Sequence, residues 1–149
     1  SKEVFKNANY ILIEHPVNQK ECISFMERFV GTLGFKSVKI MSPQAHDEII
    51  SFTSQLPHAI AVSLINSDNE KYETGKYIGD SYRDLTRIAN INENLWSELF
   101  LRNSDYLLAS IEAFEEQLDL IKVALKDNDE RLLKDLFIKS SLRREKLEK

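Results

Sequence analysis

The stretch that decides the fold is SPQAHDEIISFTSQLPHAIAVSLI, residues 42–65. Ser42 and Pro43 form a typical helix start, because the serine can cap free N–H groups and proline suits the first helical position. The run Leu56–Ile65 is nearly all apolar, which predicts a helix buried on most sides. Pro57 should kink this helix, because proline removes one backbone hydrogen bond and clashes with the preceding turn.

The residues before this stretch predict a β-α-β unit. The run Tyr10–Ile13 is short, apolar and rich in branched side chains, as in a buried parallel strand. Apolar residues recur at helical spacing over Asn18–Leu33, and Gly34 follows where a helix end favours a left-handed residue. The alternating stretch Lys36–Met41 predicts an edge or half-covered strand. Two strands do not form a stable sheet alone, so either a partner supplies more strands or the rest of the sheet has been cut away; we favour the latter.

Helices are predicted for the rest of the chain, after a polar loop at Asn66–Thr74. They span Asp80–Ala89, Asn92–Arg102, Ser104–Lys126 and Asp129 to about Lys146. The last two carry wide apolar stripes at helical spacing. The predicted fold class is therefore mainly α, with a β-α-β segment over residues 1–41 and an all-helical domain over residues 42–149.

Composition and charge exclude several classes of protein. Of the 149 residues, 42% are hydrophobic and 30% are charged, which is ordinary for a globular domain. The net charge of −4, with both signs interleaved, argues against nucleic-acid binding. Cys22 is the only cysteine, which excludes an intramolecular disulfide and a thiolate metal cluster. The chain shows no signal peptide and no apolar run of membrane-spanning length, so we expect a cytoplasmic protein, and the start without Met indicates a fragment or a processed chain.

Two groups of polar residues are candidates for a binding site, although the chain has no G-x-G-x-x-G loop and no familiar catalytic motif. His58 lies inside an apolar run, so it either satisfies a structural hydrogen bond or faces a cavity. Arg83 and Arg87 lie one turn apart on a predicted helix, and Asp84 could brace Arg87. Arginine can hold a carboxylate with two parallel hydrogen bonds, but a solvated ion-pair face explains the same spacing. Trp96 is either a core anchor or a pocket wall.

The motifs resemble those of prephenate dehydrogenases. Ser42–Asp47 followed by Ser54–Ala59 resembles the family pattern S-P-x-x-H-D, then S-H-L-P-H. Tyr82–Ala89 followed by Trp96 resembles the family signature F-R-D-x-T-R-I-A…W. Both motifs stand in the family's order and at about its spacing, and the resemblance covers nearly the whole chain.

This resemblance implies a fold and a reaction. It implies that residues 1–41 are the remnant of a Rossmann-type nucleotide-binding domain, and that residues 42–149 are a helical dimerisation and substrate-binding domain. The family oxidatively decarboxylates prephenate to 4-hydroxyphenylpyruvate and passes hydride to NAD or NADP, on the route to tyrosine. The family's catalytic histidine and glycine-rich loop lie upstream of Ser1, so the resemblance implies no catalytic residue in this chain and no turnover by it alone.

The resemblance also implies roles for single residues. Arg87 would bind a carboxylate of a prephenate-like dicarboxylate, and His58 would line the same pocket. Arg83 and Asp84 would orient Arg87 or contact substrate more remotely. Trp96 would wall the pocket, in its own subunit or from the partner subunit of a homodimer.

Two departures from the family pattern stand near the implied pocket. Gln55, which we also count among the substrate-binding positions, replaces the first histidine of S-H-L-P-H and removes one titratable group. Asp80 and Ser81 follow Gly79 where the family usually has further glycines. These changes leave open the choice between prephenate and arogenate, and any feedback by tyrosine.

Two other interpretations compete with this one. A non-catalytic helical regulatory or dimerisation module would leave Arg87 exposed to solvent and would bind no small anion. The helical half of a β-hydroxyacid-type dehydrogenase would need a catalytic lysine on the interdomain helix, and residues 42–65 contain no lysine.

Overall fold

The computed structural model of the chain describes residues 2–6 and 8–147, and it is mainly helical, as expected. The elements are β1 (Asn9–Ile13), α1 (Lys20–Thr32), β2 (Ser37–Met41), α2 (Pro43–Ile50), a π-helical turn (Ser51–Gln55), α3 (Leu56–Asn66), α4 (Asp80–Thr86), α5 (Glu93–Arg102), α6 (Ser104–Lys126) and α7 (Glu130–Leu147). Short 3₁₀ turns lie at Lys2–Phe5 and Thr74–Lys76. In the described part of the chain, no helix is both long enough and apolar enough to cross a membrane.

The predicted β-α-β unit is confirmed. Strands β1 and β2 pair in parallel, with Asn9 opposite Ser37 and Ile13 opposite Met41, and α1 packs on both strands. The helix buries Val30, which is 2% exposed. Gly34 has φ 92° just after α1, so the left-handed residue predicted at the helix end is present.

The segment from α2 to α3 differs from the predicted simple kink. Ser42 caps α2 as expected, because its Oγ accepts a hydrogen bond from the Ala45 N–H at 3.1 Å. The irregularity at Pro57 takes the form of a π-helical turn that ends just before it, and the Leu56 N–H donates to the Ser51 carbonyl five residues back. Pro57 then occupies the first turn of α3, where a missing N–H is tolerated.

Helix α3 is less buried than its apolar sequence predicts. In the described chain only Leu56 and Ala61 of this helix are fully buried, and Ile65 is 41% exposed. The prediction of burial on most sides was therefore wrong for the structure of this single chain. Helix α3 does pack against α4, which brings the two predicted site segments next to each other.

The later helices begin and end close to their predicted limits, except α4. Helix α4 ends at Thr86 instead of Ala89, because the Ala89 N–H donates to the Thr86 carbonyl three residues back and forms a tighter turn. Asn92 caps α5 and Asp129 caps α7, each through its side-chain oxygen.

The chain forms two compact units, residues 1–107 and residues 108–149. The first contains the sheet and all helices through α5. The second contains most of α6 together with α7, and it leaves many large apolar side chains exposed: Leu108, Phe114, Leu118, Leu120, Val123, Leu125, Phe137, Ile138, Leu142 and Leu147. On its surface Lys122 pairs with Asp119 at 2.5 Å, and this hydrogen bond lowers the pKa of Asp119.

Candidate functional site

Polar side chains in and just after the π-helical turn donate to backbone carbonyls of the turn and of the end of α2. The pairs, donor first, are Ser51 to Glu48 at 2.7 Å, Thr53 to Ile49 at 2.7 Å and His58 to Ser54 at 2.8 Å. A widened turn disturbs the regular backbone hydrogen bonds of a helix, and side-chain donors of this kind can satisfy carbonyls in and next to it. The sequence S-F-T-S-Q-L-P-H thus supplies its own support for an irregular turn.

The hydrogen bond of His58 fixes which nitrogen of its ring carries a proton. Its Nδ1 lies 2.8 Å from the Ser54 carbonyl oxygen, and a carbonyl can only accept, so Nδ1 carries the proton. In the neutral imidazole, Nε2 is then a hydrogen-bond acceptor. His58 is half-buried, and among residues 2–6 and 8–147 no side chain or backbone group hydrogen-bonds to Nε2. The free nitrogen is therefore the part of His58 that can meet a ligand.

Trp96 stacks on His58 within the same chain. Their ring centroids lie 3.6 Å apart with an interplanar angle of 28°. Phe100 contacts Trp96 edge-on, with the ring centroids 5.8 Å apart. Offset aromatic contacts of this kind stabilise a fixed arrangement of flat side chains. Trp96 is half-buried, so it is both a packing residue and a wall beside the His58 ring.

Gln55 is buried and its amide is hydrogen-bonded on both sides. Its Nε2 donates to the Leu99 carbonyl at 3.2 Å, and its Oε1 accepts from Asn103 Nδ2 at 2.9 Å. Asn103 Nδ2 also donates to the Asp47 carbonyl at 2.9 Å. Asn103 was missed by sequence reasoning, because its partners are 48 and 56 residues away and no local pattern marks it.

The charged residues of α4 lie on the surface. Arg83 pairs with Asp80 at 3.3 Å, and both side chains are largely exposed. Arg87 is exposed at the end of α4, where its N–H continues the helical pattern to the Arg83 carbonyl. The expected bracing contact is not formed, since the described residues contain no ion pair between Asp84 and Arg87. Asp80, the departure noted in the sequence, instead engages Arg83.

The structure thus joins some of the predicted site residues directly and others only through their helices. His58 and Trp96 touch, whereas Arg83, Asp84 and Arg87 are brought to the same region only by the packing of α4 on α3. No group of three or more His, Cys, Asp or Glu side chains in residues 2–6 and 8–147 could hold a metal ion.

A separate cleft of about 460 Å³ lies at the carboxyl ends of β1 and β2. Its polar lining comes from the residues that follow each strand: Glu14, His15, Asn18, Lys20, Ser42 and Gln44. Ligands of open parallel sheets bind at this edge. The cleft lacks a glycine-rich loop that could cradle a pyrophosphate, because the four glycines of the chain do not form such a motif.

Comparison with known proteins decides the family. The family model described as "Prephenate dehydrogenase, dimerization domain" matches residues 42–139. The chain belongs to the prephenate dehydrogenase family. It is 28% identical over 130 residues to a prephenate dehydrogenase of Bacillus subtilis, which covers 85% of this chain and 35% of that protein. It is 27% identical over 143 residues to a cyclohexadienyl dehydrogenase of Zymomonas mobilis, and the match covers 93% of this chain and 48% of that protein. This family member therefore spans less than half the length of these curated relatives.

Solved structures of prephenate dehydrogenase family members share the fold. A prephenate dehydrogenase from Aquifex aeolicus, in complex with hydroxyphenyl propionate and NAD⁺, is 30% identical with a TM-score of 0.77, over 91% of this chain and 49% of that one. An arogenate dehydrogenase from Synechocystis is 22% identical with a TM-score of 0.87, over 97% of this chain and 54% of that one. The likeness confirms the expected fold class, a Rossmann-type β-α-β remnant followed by a helical domain.

Proposed function

We propose that this chain is the dimerisation and substrate-binding part of an NAD- or NADP-dependent dehydrogenase that converts prephenate to 4-hydroxyphenylpyruvate in tyrosine biosynthesis. The observation that carries the proposal is the match of residues 42–139 to the family's dimerization domain. His58 lies on α3, the helix that packs against α4, and its stack with Trp96 of α5 supports a binding site in this part of the chain.

Arg87 is the residue we assign to a substrate carboxylate. Prephenate carries two carboxylates, and a planar guanidinium can bind one of them through two parallel hydrogen bonds. Arg87 forms no ion pair in the described residues, so its charge is available to a ligand. Arg83 is partly neutralised by Asp80 and is assigned a supporting role, together with Asp84.

His58 and Trp96 would form the wall against which the substrate lies. Neutral His58 offers an acceptor at Nε2, which suits a hydroxyl or ammonium hydrogen, and its protonated form would instead donate to a carboxylate. Trp96 holds the ring in place from one side. Gln55 faces protein groups on both sides of its amide, which supports an indirect role.

We assign no catalytic residue to this chain, and we propose that the nucleotide is bound mainly by residues outside it. The cleft at the carboxyl ends of β1 and β2 has polar groups that suit the edge of a nucleotide site, but no loop for the phosphates. NAD or NADP, when bound, would accept a hydride from the substrate. The chain's own residues would bind and orient that substrate.

The test is a dehydrogenase assay on the longest natural product of the gene that contains this chain, beside an Arg87→Ala variant. We expect reduction of nicotinamide with prephenate, and at least a tenfold lower kcat/KM in the variant, about 1.4 kcal/mol, as for a lost charge-assisted contact. Arg102→Ala, which removes an exposed arginine paired with Glu98 on α5, should leave kcat/KM close to wild type.

The assay also separates the competing functions. Turnover with arogenate in preference to prephenate would identify an arogenate dehydrogenase. No turnover with either substrate and either nicotinamide would favour a non-catalytic helical module, an interpretation with which the exposure of Arg87 also agrees. Exposure alone does not decide between them, because a receptor for a dicarboxylate must be accessible too.

We also propose that the chain forms a homodimer. The second unit, residues 108–149, exposes a set of large apolar side chains, and such patches mark interaction surfaces. The dimerization domain of the family model includes most of this unit.

A further inference from the structure

The buried amide of Gln55 and the half-buried amide of Asn103 connect three segments of the first unit. Through them the end of α2, the π-helical turn and the last turn of α5 are joined by hydrogen bonds of 2.9 to 3.2 Å. We propose that Gln55 and Asn103 are positioning residues, which hold the π-helical turn against α5 and thereby fix the stacked arrangement of His58 and Trp96.

The spacing along both helical segments supports this role. His58 follows Gln55 by three residues, and Trp96 precedes Leu99 by three residues. Residues three apart in a helix lie on the same face. The Gln55–Leu99 hydrogen bond and the His58–Trp96 stack are therefore two neighbouring contacts between the same two segments, and a movement of the π-helical turn along α5 would disturb both.

The hydrogen bonds between Gln55 and Asn103 leave few alternative partners for either side chain. Asn103 Nδ2 donates to two oxygens, the Asp47 carbonyl and Gln55 Oε1, so one side chain satisfies both. Gln55 is 5% exposed, and water cannot easily replace a lost partner there. Because both side chains are neutral amides, the connection does not depend on a proton being gained or lost.

The first test uses NMR on the 149-residue chain and does not require activity. The chain has three histidines, so a His58→Gln variant identifies the imidazole signals of His58. In the wild type these signals should be displaced upfield by the ring of Trp96. In Asn103→Ala the displacement should shrink, while the signals of His15 and His46 stay in place.

Two further variants keep this test decisive. Asn94→Ala removes an exposed asparagine of the same helix α5 and should leave the His58 signals unchanged. If Asn103→Ala does not fold, Gln55→Glu serves instead, because it keeps an acceptor for Asn103 and loses the donor to the Leu99 carbonyl; it should show a partial loss of the displacement. A folded variant of either kind with wild-type His58 signals would overturn the proposal.

The second test is kinetic and rests on the proposed function. In the active gene product, Asn103→Ala should raise KM for prephenate by about tenfold and change kcat less, as for a displaced binding group. In a His58→Gln background the same substitution should have little further effect on KM, because Asn103 acts through His58. Independent effects of the two substitutions would contradict the positioning role. An inactive wild type would count against the proposed function and leave the NMR result unaffected.

Discussion

His58 shows at the residue scale how one hydrogen bond limits what a side chain can bind. The Ser54 carbonyl forces the proton onto Nδ1, so the neutral ring offers only an acceptor at Nε2. A substrate carboxylate would be repelled by that lone pair, whereas a hydroxyl or an ammonium group would be accepted. We therefore expect Arg87, and not neutral His58, to carry the attraction for carboxylates.

Two glycines of the β-α-β unit give a prediction at the same scale. Gly34 has φ 92°, and Gly31 lies in α1 with open space where a Cβ would stand. Gly34→Ala should lower the free energy of unfolding by about 1 kcal/mol, because alanine is strained in the left-handed region. Gly31→Ala should raise it by about 0.5 kcal/mol, because alanine is the better helix former. Urea unfolding of both variants measures the two values, and effects of the same sign would contradict the assigned conformations.

The π-helical turn is the feature that matters at the scale of elements. It precedes Pro57, and two causes for it compete: the missing N–H of the proline, and the side-chain contacts on either side. An α-helical turn would gain about one hydrogen bond, worth about 1 kcal/mol. It would rotate α3 and break the His58–Trp96 stack, worth about 0.5–1.5 kcal/mol, together with the buried amide contacts of Gln55. We therefore expect the side-chain contacts to maintain the π-helical turn.

This balance predicts the outcome of Pro57→Ala. Although the new N–H permits a regular turn, we expect the π-helical turn to persist, with the imidazole signals of His58 unchanged in NMR. The helical circular dichroism should also match that of the wild type. A large displacement of the His58 signals in a folded variant would instead show that proline enforces the turn.

The exposed apolar side chains of the second unit give the prediction at the scale of the whole molecule. Light scattering at micromolar concentration should give the mass of a dimer, because burial of such side chains drives association. Phe137→Glu, at a residue 59% exposed on α7, should weaken the dimer, and Val17→Glu, at an exposed apolar residue outside the last two helices, should not. A stable wild-type monomer would rule out the proposed homodimer.

Much of the fold could be predicted because local patterns determine it. The strands, the cap at Ser42, the starts of α5 and α7 to within one residue, and the limits of α6 all follow from periodicity and from residues at the helix ends. The early end of α4 was missed because the apolar residues Ile88 and Ala89 continue the sequence pattern, whereas the backbone there tightens into a turn with a hydrogen bond from Ala89 to Thr86.

The site was predicted less completely, for a different reason. The motifs marked His58, Trp96 and Arg87 individually, but their mutual contacts depend on the packing of distant helices. Asn103 and the buried state of Gln55 depend on contacts over 44 to 56 residues. The sequence marked Asp80 as a departure from the family pattern, but the spacing did not predict that Asp80 pairs with Arg83. The roles of the site residues stay predictions.

The stack of Trp96 on His58 has a practical consequence. Trp96 is the only tryptophan of the chain, so all indole emission of the protein comes from the wall of the proposed pocket. A ligand that contacts the ring of His58 or Trp96 will change the intensity or the wavelength of that fluorescence. The protein therefore carries its own optical reporter, and a titration with candidate dicarboxylates can be read from the unlabelled chain without any turnover.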